Sequence, residues 1–166
     1  MKAVLNLFWQ ICLMRQGPEY VPTQPWFVGS VVCANLLGVL ALSLATGEQT
    51  PLMIATYVVV TLCVTASLIY LACYLREVPS RFLAAFTAIC GCDLIITVLF
   101  AMLLPVSGML GQVGAAFLPL CFMLWSVTVV GFILHRALDT HLAVGIATAI
   151  GISLLSVSAG QVVTAA

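Results

Sequence analysis

The sequence predicts an all-α fold, an integral membrane bundle of five transmembrane helices preceded by an amphipathic helix lying in the membrane interface. Three observations carry that prediction. Of 166 residues, 64% are hydrophobic and 6% charged, and the mean hydropathy is +1.26. A soluble domain carries roughly 25% charged residues, and a water-soluble fold of this size could not hide so much apolar surface. The apolar residues fall into five stretches long enough to cross a bilayer. The five Lys and Arg residues, Lys2, Arg15, Arg76, Arg81 and Arg136, all fall on one side once those stretches are threaded back and forth.

The first segment, residues 1–16, places Lys2, Asn6 and Gln10 on one helical face. Val4, Leu7, Phe8 and Ile11 occupy the other. No A-x-A cleavage site follows, which argues against a signal peptide, and the expectation is a helix lying in the interface. Packing of that helix on the other spans is the alternative. Gly17, Pro18, Pro22 and Pro25 then make residues 17–25 a Pro-rich linker.

The transmembrane domain covers 26–166, with spans expected at about 26–45, 51–75, 81–105, 115–134 and 142–157. Trp26 opens the first at headgroup depth, and Asn35 lies inside it, poised for an interhelical hydrogen bond. A short connection, TGEQT, leads to Thr50 and Pro51, a hydroxyl cap followed by a first-turn proline. Tyr70 and Tyr74 anchor the far end of the second span. Pro105 is expected to end the third, and Val106 to Gln112 to form an uncharged turn. In the fifth span, Gly145 and Ala149 are four apart, as are Ala147 and Gly151, which lets helices approach closely.

Charge then sets orientation. With five spans, the connections opposite the basic residues carry only Glu48 as a charge. The positive-inside rule places the N-terminus in the cytoplasm and the C-terminus outside.

The sharpest functional candidate is Asp93, near the middle of the third span. Holding an ionised carboxylate there costs about 2.5–3.5 kcal/mol on insertion scales. The residue must find a donor or bind a proton, since desolvation disfavours the anion. Cys90 and Thr97, at i−3 and i+4, share its face. Either Asp93 is a proton or cation site, or it is a hydrogen-bonded residue that fixes packing. With Asn35 and Thr97, it forms the set of intramembrane polar candidates. Arg76, Arg81, His135, Arg136, Asp139 and His141 are the loop candidates at the membrane surface. His135 and Asp139 are spaced i, i+4, but the set is too sparse to favour metal or haem, and no cofactor is expected.

Other chemistry lacks its residues. The sequence contains no H-E-x-x-H, no G-x-S-x-G and no phosphate-cradling glycine loop. An intramembrane aspartyl protease needs two carboxylates. Seven cysteines lie within apolar runs and behave there as small hydrophobes. Cys90 and Cys92 are two apart, so they point to different sides of a helix. Zero net charge argues against nucleic acid as a partner. The reading is therefore non-enzymatic. The chain is a scaffold or assembly factor partnered with the lipid bilayer and with another membrane protein or further copies of itself. The alternative is a small transporter or ion-coupled subunit using Asp93.

Two stretches carry a resemblance. SRFLAAFTAICG, Ser80 to Gly91, resembles the short loop and span start of bacterial members of the Yip1-domain family. WSVTVVGFILHRALDTHLAVGIATAIGISLL, Trp125 to Leu155, resembles their final helical pair, with Trp125, Gly131, Leu134 and His135 in the corresponding places. Together they cover about a quarter of the chain. The resemblance implies five spans, a cytoplasmic N-terminus and a bacterial inner membrane. The D-L-Y-G-P signature of the eukaryotic members is absent, so their GTPase association is not implied.

Overall fold

The computed structural model describes residues 2–46, 51–109 and 111–165. The described residues form six helices: α1 (Lys2–Cys12), α2 (Pro25–Thr46), α3 (Pro51–Leu75), α4 (Phe82–Met109), α5 (Gly111–Leu138) and α6 (Leu142–Ala165). They contain no strand. Helices α2 to α6 are each long and apolar enough to cross a membrane, so this is a multi-pass membrane protein. Residues 47–50, and with them Glu48 and the expected Thr50 cap, lie outside the described residues.

The helices outrun several of the sequence boundaries. Pro105 sits inside α4 instead of ending it, and Pro119 sits inside α5. The expected turn at Val106 to Gln112 is helical up to Met109 and again from Gly111. Helix α5 runs on to Leu138, past 134, and α6 to Ala165, past 157. The cause is the solvent. Away from water, every backbone group needs an internal partner, so a helix continues through a proline that would stop it in water. Hydroxyls follow the same rule. Thr56, Thr61, Ser67, Thr87, Thr128 and Thr148 each donate to the carbonyl four residues back, at 2.6–2.9 Å.

Helices α2, α4, α5, α6 and α3, in that order, form a ring, each packed on the next. The ring closes where α3 meets α2, and that is its sparsest joint. The tightest joint is α5 with α6. There Gly145 and Ala149 are buried. A β-carbon on Gly145 would strike the Gly131 carbonyl and come within 2.8 Å of the His135 amide nitrogen. The other small pair is not used in this way: Ala147 is exposed and Gly151 has open space beside it. The packed face of α6 instead continues through Ile152, Ser156 and Gly160.

Burial is uneven along the bundle. Every residue of α4 from Ala85 to Cys92 is buried, whereas Val98, Met102 and Leu103 are exposed. The difference comes from α1. Phe8, Ile11 and Cys12 are buried, and the Phe8 ring fills the space that a side chain at Gly91 would take. Phe8 also stacks on Phe27 of α2, with ring centroids 6.3 Å apart. The apolar face of α1 is thus spent on protein, while Leu5, Trp9 and Leu13 face outward. The linker is packed as well: Pro18–Tyr20 form a single 3₁₀ turn, with Pro18 and Val21 buried.

The arginines gather at one end of the ring. Arg81 Nη1 donates to the carbonyls of Arg136 and Ala137, each at 3.5 Å. Arg136 lies 4.0 Å from Glu19 and over the Phe132 ring. Arg76 follows the last residue of α3. Trp26, Tyr70 and Tyr74 are exposed near the same helix ends, where amphipathic rings suit headgroup depth.

Three helices end alike. Met14, Glu77 and Asp139 have φ of 57°, 60° and 52°. Each is followed by an amide that bonds back five residues: Arg15 to Gln10, Val78 to Cys73 and Thr140 to His135. This is the Schellman geometry, in which glycine is the usual occupant of the left-handed position. A side chain there costs about 1–2 kcal/mol. Glu77→Gly is therefore expected to stabilise the protein by about 1 kcal/mol, read as a higher midpoint in denaturant titration.

Candidate functional site

Asp93 is the twelfth residue of α4 and directly follows the block that α1 encloses. Its partner comes from α2. Asn35, 5% exposed, donates from Nδ2 to Asp93 Oδ2 at 3.1 Å and to the Cys90 carbonyl at 2.8 Å. Both amide hydrogens are thereby used. The two intramembrane residues singled out from the sequence, 58 positions apart, meet in the fold. Charge reading could not pair them, because the partner is an amide and carries none.

This pair lines a cavity of about 260 Å3 at the centre of the ring, and all five long helices contribute to it. From α3 come Tyr57, Thr61 and Thr65, from α4 Cys90 beside Asp93, from α5 Ser126, and from α6 Ser153 and Ser156. Thr65 and Ser156 share a hydrogen bond of 2.8 Å across α3 and α6. Thr61 donates to the Tyr57 carbonyl at 2.6 Å. The remainder of the wall is aliphatic, including Leu36, Val39, Leu62 and Val130.

The cavity hydroxyls were not among the candidates named from the sequence. A signal was there: Thr61 and Thr65 are one turn apart on the second span, and Ser153 and Ser156 are one turn apart on the fifth. Each pair marks a polar stripe on an otherwise apolar helix. Thr97 is absent from the cavity wall, although it lies one turn beyond Asp93.

The two neighbouring cysteines separate as helix geometry requires. Cys90 faces the cavity. Cys92 turns to the other side, where its thiol donates to the Phe8 carbonyl at 3.8 Å and Cys12 donates to the Cys92 carbonyl at 3.9 Å. Trp125 of α5 adds a bond from Nε1 to the Cys12 carbonyl at 3.2 Å. These contacts brace the turn of α4 just before Asp93 from behind.

The loop candidates lie apart from this site, around two recesses at the arginine end. Arg81, Arg136 and Asp139 border one of about 320 Å3, together with Glu19. Arg76, Asp139 and His141 border another of about 550 Å3. His135 and Asp139 do not form a pair. The His135 ring nitrogen Nδ1 meets the Thr140 carbonyl instead. Asp139 has left the helix in the left-handed conformation. Among the described residues, no three His, Cys, Asp or Glu side chains stand close enough to share a metal ion.

In comparisons with family models, curated proteins and solved structures, nothing matches this chain.

Proposed function

We propose that this membrane protein is a non-enzymatic subunit that holds an exchangeable proton or small cation at Asp93 within a larger membrane assembly. One observation carries the reading: a carboxylate held by an amide opens on a cavity among five apolar helices, its largely aliphatic wall carrying several hydroxyls. An acidic group is expensive at this depth and is most often kept there for a functional reason. Five helices of one copy line this cavity, and coupling is placed in an oligomer or with another subunit.

The proposal includes the setting. The chain sits in a bacterial cytoplasmic membrane with the arginine end inside, the N-terminus cytoplasmic and the C-terminus outside. Helix α1 rests at the inner interface while its apolar face grips α4. The topology is the one that the Yip1-domain resemblance implies.

Infrared difference spectra of the protein in nanodiscs, taken across steps in pH and in sodium concentration, test the site. The wild type is expected to show a carboxyl carbonyl band that changes with one of these steps, and Asp93→Asn is expected to lack it at unchanged helix content. Identical difference spectra for the two proteins would contradict the reading.

The scaffold reading is favoured by a separate observation. Helix α1 and the 3₁₀ turn pack on α4 and leave Leu5 and Trp9 facing outward, a surface for a partner membrane protein. In that reading Asp93→Asn leaves co-purification of a defined partner unchanged.

A further inference from the structure

We infer that the cavity beside Asp93 takes a small organic ammonium ion, which reaches it sideways from the bilayer between α2 and α3. This rests on the reading of Asp93 as the site and adds the ligand class and the route.

Charge comes first. Among the described residues lining the cavity, Asp93 is the one carboxylate and none is Lys, Arg or His. Hydrogen-bonding sense comes second. Asn35 has given both amide hydrogens to Cys90 and Asp93, and Thr61 has given its hydroxyl hydrogen to the Tyr57 carbonyl. What these groups still offer is oxygen lone pairs, and the Ser126 and Ser153 hydroxyls can accept as well as donate, so a donor with positive charge complements the carboxylate. An ammonium group fits both requirements.

Size and wall chemistry separate an organic cation from a bare metal ion. A hard metal cation wants about six or more close oxygen ligands and little else. This cavity holds about 260 Å3 and presents mostly aliphatic wall, Leu36, Val39 and Leu62 among it. A ligand with an apolar body buries that body against these residues while its ammonium meets Asp93.

The route follows from the packing. Toward the arginine end the ring is filled, with Ile69 and Phe86 buried where the cavity stops. The arginines there also repel a cation. The joint between α2 and α3 is the sparsest in the ring, and Leu36 and Val58, one from each helix, line the cavity there. An amphiphilic amine already dissolved in the bilayer meets this joint first.

Calorimetric titration of the full chain in nanodiscs with benzylammonium, and with benzyl alcohol as its uncharged counterpart, tests the proposal. Saturable binding of benzylammonium is expected, with benzyl alcohol at least tenfold weaker. The charge-assisted bond lost in Asp93→Asn should weaken benzylammonium at least tenfold. Leu36→Trp, which crowds the joint and the cavity wall together, should weaken benzylammonium severalfold. Equal affinity for ammonium and alcohol, or an affinity unmoved by Asp93→Asn, would overturn the inference. If the Asp93 band responds to pH or sodium while benzylammonium does not bind, the ligand class is wrong and the proposed site stands. If the band is also silent, both fall.

Discussion

Gly145→Val is expected to be the most damaging single substitution in the protein. At this position the obstacle is backbone. The new β-carbon would meet the Gly131 carbonyl and the His135 amide, neither of which can rotate away. Helices α5 and α6 would have to separate, and this is the closest joint of the ring. Overpacking a core costs about 1–3 kcal/mol when side chains can adjust, and here the cost should reach or pass the upper end. Gly131→Val should act similarly, since its β-carbon would come within 2.8 Å of the Ile146 Cα. Gly151→Val, with open space around it, should change stability by less than about 0.5 kcal/mol. Reversible unfolding in mixed detergent measures all three. Equal loss at Gly145 and Gly151 would mean that α6 does not pack through the face described.

Asn35→Leu should produce the second largest loss, about 2–3 kcal/mol. It removes the donor from the Asp93 carboxylate and the second donor from the Cys90 carbonyl, which keeps its bond within α4, and so leaves a buried carboxylate without its amide. The cost of an orphaned buried group exceeds the net gain of the bond itself. Within membranes an interhelical hydrogen bond averages about 0.6 kcal/mol, so the orphaned carboxylate accounts for most of the expected loss. The double substitution Asn35→Leu with Asp93→Leu removes both partners and should recover at least half of it. A double variant that is less stable than Asn35→Leu alone would show that the two residues do not share one interaction.

Much of the architecture was legible in the residues. The five spans followed from apolar length, and Asn35 and Asp93 stood out because polar groups are rare there. The use of Gly145 and Ala149 followed from small-residue spacing. What was not legible has physical causes. Pro105 looks like a stop because propensity is learned in water, where freed backbone groups are solvated; in an apolar setting the helix carries on. The amphipathic face of α1 could meet lipid or protein equally well, since both are apolar. Only the pocket at Gly91, shaped for the Phe8 ring, favours protein. The cavity hydroxyls form polar stripes on separate helices, and such stripes do not show which of them converge; Thr65 and Ser156 meet only in the fold. Asp139 was read as a helical neighbour of His135, but the Schellman turn ends the helix one residue earlier.

The most direct measurement of the central claim, a carboxylate enclosed within a ring of membrane helices, is carbodiimide labelling followed by peptide mass spectrometry. Glu19, Glu77 and Asp139 are exposed, whereas Asp93 lines the inner cavity. With the protein in bilayers at mildly acidic pH, a water-soluble carbodiimide should modify those three and spare Asp93. A lipid-soluble carbodiimide should modify Asp93. Modification of Asp93 by the water-soluble reagent as fast as Glu19 would contradict the account.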